Sequence, residues 1–318
     1  MTKEASNSTP PRVVYGDEID LRELCQVIWA GKWIILLGTI IAGLMAVFIA
    51  LSLPDIYRSE ALLAPASNEE NGGLGALASQ YGGLASLAGI NLGSLGGGST
   101  DQTTFGMEVL KSRKFIGDFV ARHKLLPSVV ALEGWELLDD KLLYDESIYD
   151  PEVNAWTRNV KPPKQVEPSL LEAHEEFVKL LDIAQDPDTG LVKLSVETYS
   201  PYLSKQWVDW LVEDINDEIR QQEVVEAENS IAFLQEQLVA TPLADMQTVF
   251  YQLIEEQTQT IMLANARPEY LFRTVDPAVV SEEPIRPRRM LICIVGVLLG
   301  GFFSLLFVVG RHFFKAHG

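Results

Sequence analysis

Apolar residues crowd into two blocks near opposite ends of the chain. Trp33–Leu53 and Met290–Gly310 each run 21 residues without a charge. At about 1.5 Å per residue, each reaches roughly 30 Å, the hydrocarbon thickness of a bilayer. The first block follows 32 residues that include five acids, unlike the short basic leader of a signal peptide. Both blocks read as permanent transmembrane helices. They divide the chain into a tail (1–32), a span (33–53), a large intervening domain (54–289), a second span (290–310) and a short tail (311–318).

Between the spans the pattern becomes mixed. Ile56–Ala64 reads as a strand, and Phe105–Leu126 predicts a helix that groups Val109, Ile116, Phe119 and Val120 on one face and ends before Pro127. Pro127–Pro168 reads as irregular, acidic and aromatic, its Trp135, Tyr144, Tyr149 and Trp156 better suited to anchoring a core than to stacking on sugars. Ser169 and Glu172 form a capping box opening a helix with the stripe Leu170, Leu171, His174, Phe177, Val178 and Leu181. Asp186–Gly190 is a turn, and Leu191–Thr198 alternates as a strand with Val192, Leu194 and Val196 on one side.

Ser200 as N-cap and Pro201 as first helical residue then start a helix over Tyr202–Ala240, 39 residues or roughly 58 Å long. Its apolar face includes Val208, Leu211, Ile215 and Ile219. Such a helix outreaches any core the remaining domain can wrap around it, so part of its face is expected to meet another helix or another subunit, with those four residues as the candidate oligomer contacts. Pro242 interrupts it, and the helical pattern up to Ala266 predicts a return helix, making 202–266 a helical hairpin. Tyr270–Val275 reads as a strand heading back to the membrane. The fold class is α+β: two transmembrane helices flanking a large base domain with a long protruding helix.

Charge narrows the function. The chain holds 25 Lys and Arg against 44 Asp and Glu, a net charge of −19, which argues against nucleic acid as a partner. Of those acids, 39 lie between the spans. The basic residues of the tails, Lys3, Arg12, Arg22, Lys32, Arg311 and Lys315, place both termini in the cytoplasm and the large domain outside. With Cys25 and Cys293 as the only cysteines, the intervening domain has no internal disulfide and no cysteine zinc site. Residues 71–100 carry no charge, and Gly72–Gly98 holds ten glycines; Leu74, Leu77, Tyr81, Leu84 and Leu87 recur at near-helical spacing within it. A flexible linker and an apolar contact segment both fit that pattern.

Catalytic patterns are missing. Gly31-Lys32 lacks the glycine of a phosphate-binding loop, Ser94 lacks a nucleophile elbow, and His174 has no second histidine at zinc-protease spacing. The chain therefore reads as a non-enzyme without cofactor or metal. Gly296 and Gly300, extended by Gly301 and Ser304, form a small-residue face suited to close helix packing in the membrane. Arg286, Arg288 and Arg289, just before the second span, are candidate contacts for the phosphates of a lipid.

Several passages together resemble one known family. Asp17–Leu24, Ile28–Trp33, Tyr57–Leu63, Glu108–Arg113, Leu191–Asn216 and Phe272–Ala278 are similar to the bacterial polysaccharide co-polymerases, or Wzz-type chain length determinants. The proline-and-basic approach to the glycine-containing last span fits too, with Arg286-Pro287-Arg288 standing where Ser-Pro-Lys is usual. The resemblance implies an inner-membrane homo-oligomeric ring with a periplasmic α+β base. It further implies that the ring sets, without catalysis, how many repeat units a membrane polymerase adds to a lipid-linked polysaccharide. With eight residues after the second span and no fused kinase, the expectation is the lipopolysaccharide O-antigen branch, ahead of enterobacterial common antigen, capsule or exopolysaccharide. A two-span periplasmic sensor shares the topology but needs a cytoplasmic output domain.

Overall fold

The computed structural model describes residues 28–66, 99–240 and 244–316. Asp17–Leu24, Cys25, most of the Gly-rich segment and Pro242 lie outside the described residues. The chain divides into two compact units, the larger formed by Pro54–Arg286 and the smaller by the regions before and after it.

Helix α1 is Lys32–Ser52. In the larger unit, β1 (Tyr57–Pro65) leads to α2 (Ser99–Lys111) and α3 (Arg113–Arg122). The continuous helix expected over Phe105–Leu126 is therefore broken. Ser112 takes extended dihedrals, and its Oγ accepts a hydrogen bond from Phe115 N at 3.2 Å, so it caps a new helix instead of continuing the old one. Lys124 has a φ of 55°, a left-handed conformation that ends α3, and Pro127 opens the short α4 (Leu126–Val130) rather than following a helix. The stretch expected to be irregular forms two hairpins, β2 (Leu132–Glu136) with β3 (Lys141–Tyr144) and β4 (Tyr149–Asp150) with β5 (Ala155–Trp156).

The capping box forms as expected at α5 (Leu170–Leu180), with Ser169 and Glu172 each bonded to the other's backbone. Its stripe is narrower than the pattern suggested. Ala173 and Phe177 are buried, while Leu170, Leu171 and Val178 are exposed. Leu181 is not part of the helix; it starts β6 (Leu181–Gln185), which turns through Gly190, at a φ of 72°, into β7 (Val192–Thr198). Then come α6 (Pro201–Ala240), α7 (Ala244–Ala266), β8 (Phe272–Asp276) and the last helix, α8 (Arg289–Ala316).

Four strands form one antiparallel sheet in the order β6-β7-β1-β8. Ser59, Ala61 and Leu63 stand opposite Val196, Leu194 and Val192, so one face is apolar. Arg58 opposite Glu197 and Leu62 opposite Lys193 make the other face polar, the division expected when only one side of a sheet is covered. The covering layer is the first half of α6, with Phe115, Phe119 and Phe177 from α3 and α5 filling the space beside it.

This placement corrects the expected subunit contacts. Val208, Leu211 and Ile215 are fully buried and Ile219 nearly so, all within the core of their own subunit. Their stripe meets the sheet, which the periodicity of a single helix does not reveal.

Candidate functional site

The smaller unit is a pair of packed helices. Lys32–Ser52 and Arg289–Arg311 both have a mean hydropathy of 2.8, and most of each apolar surface faces outward, as lipid-exposed helices require. Where they touch, side chains are small. A Cβ added at Gly296 would lie 2.3 Å from Ala46 Cβ, one at Gly300 2.2 Å from Ala42 Cβ, and one at Gly38 2.1 Å from Ser304 Oγ. Gly301 sits at ordinary contact distance from Thr39. The four small residues on α8 thus lie along α1, whose own small residues Gly38, Ala42 and Ala46 complete the seam. A reading of α8 alone missed that second half, although Gly38, Ala42 and Ala46 recur every four residues in the sequence.

In the larger unit, the two chain ends that connect to the spans are pinned to each other. Ile56 N donates to Arg286 O at 2.9 Å, and Ile285 N donates to Ile56 O at 2.8 Å. The Arg58 guanidinium binds Glu197 across the strands, which holds its own charge firmly, and Arg286 Nη2 approaches the same carboxylate at 3.4 Å. Arg286 is thus engaged with the sheet, while Arg288 and Arg289 belong to the approach and first turn of α8.

Two buried polar groups lock α6 in place. Asn216 Oδ1 accepts from Leu271 N (2.8 Å) and Phe272 N (2.9 Å), and its Nδ2 donates to Phe272 O at 3.0 Å and Val212 O at 2.9 Å. One amide therefore ties the return strand to the long helix. Asp214 accepts from Arg122 Nη1 (2.7 Å) and His123 Nε2 (3.0 Å), while the His123 ring stacks on Trp210 at 4.2 Å. His174 donates from Nε2 to the Lys111 carbonyl at 3.0 Å, a structural role at the end of α2.

Past Ile219 the character of α6 changes. Ala227 alone is fully buried beyond that point, and α7 packs alongside. Val225, Phe233 and Val239 are exposed on α6, as are Met246, Val249, Tyr251 and Met262 on α7. Beside them runs an open groove of about 680 Å³ lined by Lys114, Glu218, Gln221, Gln222, Glu226, Asn229 and Phe233 among others. Lys114 is held there by Glu218 at 2.7 Å and Asp118 at 3.3 Å. Among the described residues no group of three or more His, Cys, Asp or Glu is arranged to hold a metal ion.

Two family models match this chain, the Wzz chain length determinant protein over residues 17–123 and the G-rich domain on putative tyrosine kinases over 243–313, which together take in more than half of it. The chain belongs to the Wzz chain length determinant family. It is an inner-membrane protein with two transmembrane helices and a periplasmic α+β domain. Two solved structures align with this Wzz-family chain. A full-length bacterial polysaccharide co-polymerase shares 14% identity over 95% of this chain and 99% of its own, with a TM-score of 0.40. A fragment of WzzB, the polysaccharide co-polymerase from Salmonella Typhimurium, shares 12% identity over 73% of this chain and 100% of its own, with a TM-score of 0.27. No curated protein matches.

Proposed function

We propose that this protein regulates, without catalysing any step, the modal chain length of lipopolysaccharide O-antigen assembled by a membrane polymerase on a lipid carrier. The match of the chain length determinant model to residues 17–123 carries the reading. In this proposal both termini are cytoplasmic, in keeping with the basic residues of the tails. Copies of the chain associate through the far halves of the α6–α7 hairpin, where Val225, Phe233 and Val239 are exposed on a helix that has left its core. Packing of Gly296, Gly300, Gly301 and Ser304 along α1 holds the two spans together, and Arg286, Arg288 and Arg289 contact lipid phosphates. The growing glycan, its lipid carrier and the O-antigen polymerase are the partners.

The match over 243–313 to a domain of putative tyrosine kinases favours a second reading, control of a capsule or exopolysaccharide. The surface-polysaccharide ladder of a deletion strain, with and without this chain restored, separates the two. Collapse of a clustered O-antigen distribution into a steadily decaying one, reversed by complementation, is the expected result. An unchanged lipopolysaccharide ladder with altered capsule length supports the second reading, and no change in any glycan defeats both.

A further inference from the structure

The tip of the β2–β3 hairpin has an unusual composition for a turn. Its four connecting residues are Leu137, Leu138, Asp139 and Asp140, and Asp140 supplies the left-handed position with a φ of 47°. Tight turns are ordinarily polar, because Gly, Asn, Asp and Ser suit their geometry and face water. Here Leu137 is 73% exposed and Leu138 is 89% exposed. Neither is covered among the described residues.

The rest of the hairpin locates that tip. Trp135 packs edge-on against Tyr57, with ring centroids 5.7 Å apart, and against Tyr202 at 6.1 Å, and its Nε1 donates to Asp140 Oδ1 at 2.7 Å. Tyr57 is the first residue of β1, five residues after the end of the span at Ser52, so the chain holds it within about 18 Å of that end. Ile56, next to it, is bonded to Arg286, three residues before the second span begins, a tether of about 10 Å. The end of the sheet on which Trp135 rests is therefore the end doubly tied to the bilayer. Tyr57, Trp135 and Tyr202 combine apolar rings with polar tips, the residue types that concentrate at membrane–water interfaces.

We infer that the β2–β3 hairpin is a membrane foot, in which Leu137 and Leu138 enter the headgroup and acyl boundary of the bilayer and the Tyr57–Trp135–Tyr202 cluster rests at headgroup level. The surface it fits is zwitterionic lipid. Glu133, Glu136, Asp139 and Asp140 outnumber Lys141 on the hairpin, so anionic headgroups are repelled and contribute no attraction. The foot fixes the height and tilt of each periplasmic domain above the membrane at a point separate from the spans.

The test uses the full chain in lipid nanodiscs of phosphatidylcholine, with Cys25→Ser, Cys293→Ser and a single Leu138→Cys labelled with an environment-sensitive fluorophore. Asp188→Cys, exposed in the β6–β7 turn at the sheet end opposite Tyr57, is the water-facing control. The expected result is blue-shifted emission at position 138, several-fold weaker quenching by iodide than at 188, and quenching by lipids spin-labelled on the acyl chain. Water-like emission with equal iodide quenching at both positions overturns the inference. Protection from iodide without quenching by spin-labelled lipid also overturns it, because a neighbouring subunit then covers the tip. Should Leu138→Cys fail to fold, Leu137→Cys carries the same measurement.

Discussion

Asn216 shows how much one side chain can decide. Placed in the middle of a helix, an asparagine is a mediocre choice on propensity alone. Here it is almost completely buried, and its amide satisfies three backbone groups of the returning strand. Asn216→Ala leaves Leu271 N, Phe272 N and Phe272 O without partners, and the expected loss is roughly 2–4 kcal/mol, read as a lower midpoint in thermal unfolding of the full chain in detergent. Glu172 makes a pH-dependent contribution. Arg158 binds it most strongly, with help from Ser169 N and Lys164, and its carboxyl is lowered from an ordinary value near 4.5 to about 2. A carboxyl depressed on folding stabilises fully above its unfolded value, and that stabilisation fades as pH falls from about 4.5 toward 2. Glu172→Gln keeps the geometry of the capping box and removes the charge. The variant is expected to be less stable at pH 7 by roughly 1–3 kcal/mol, with the gap to the parent narrowing below pH 4.5; a gap independent of pH would assign the effect to packing alone. The capping box was legible because both its partners lie within four residues. Arg158 was not, since its approach to Glu172 depends on how residues 157–168 fold.

At the scale of elements, the two spans depend on contacts that a methyl group would destroy. Gly296→Ala places a Cβ 2.3 Å from Ala46 Cβ, and the helices must separate. The expected cost is about 1–3 kcal/mol, with a corresponding loss of chain-length control. Ala46→Gly removes the atom in the way, leaving the new methyl in ordinary contact with Ala42 O and Ala46 Cα at 3.7 Å, so the double variant should recover what the single one loses. Failure of that rescue, measured by unfolding and by the polysaccharide ladder, would show that the seam is not what limits Gly296. Both spans could be read directly, since 21 uncharged apolar residues have few other uses. The break at Ser112 was harder to see. Apolar periodicity continues through it, while the cap depends on one hydroxyl competing successfully for a backbone N–H.

Across the whole molecule, α6 does two jobs along its length. Its first half closes the core, and its second half presents apolar side chains beyond it. Leu211→Asp is therefore expected to prevent folding, by burying a charge in a fully packed site, and to yield little intact protein. Phe233→Asp should leave the unfolding free energy within about 0.5 kcal/mol of the parent, because the side chain is 59% exposed, while reducing self-association in light scattering and shortening or broadening the glycan distribution. An unchanged oligomer in the Phe233→Asp variant would place the assembly face elsewhere.

The sequence by itself determined the two spans, the acidic domain between them, the length of α6, the capping box and the strands at both ends of that domain. Each depends on local composition or on a period carried by consecutive residues. Only the tertiary structure decided which half of α6 is buried. The stripe runs unbroken through Val208, Leu211, Ile215 and Ile219, and it is the four-stranded sheet, assembled from strands more than 200 residues apart, that covers those four and ends before Phe233. The same holds for the hairpin tip. Leu137 and Leu138 are two apolar residues within an acidic stretch of the sequence, and only the path of β2 and β3 past Tyr57 leaves them exposed at a turn.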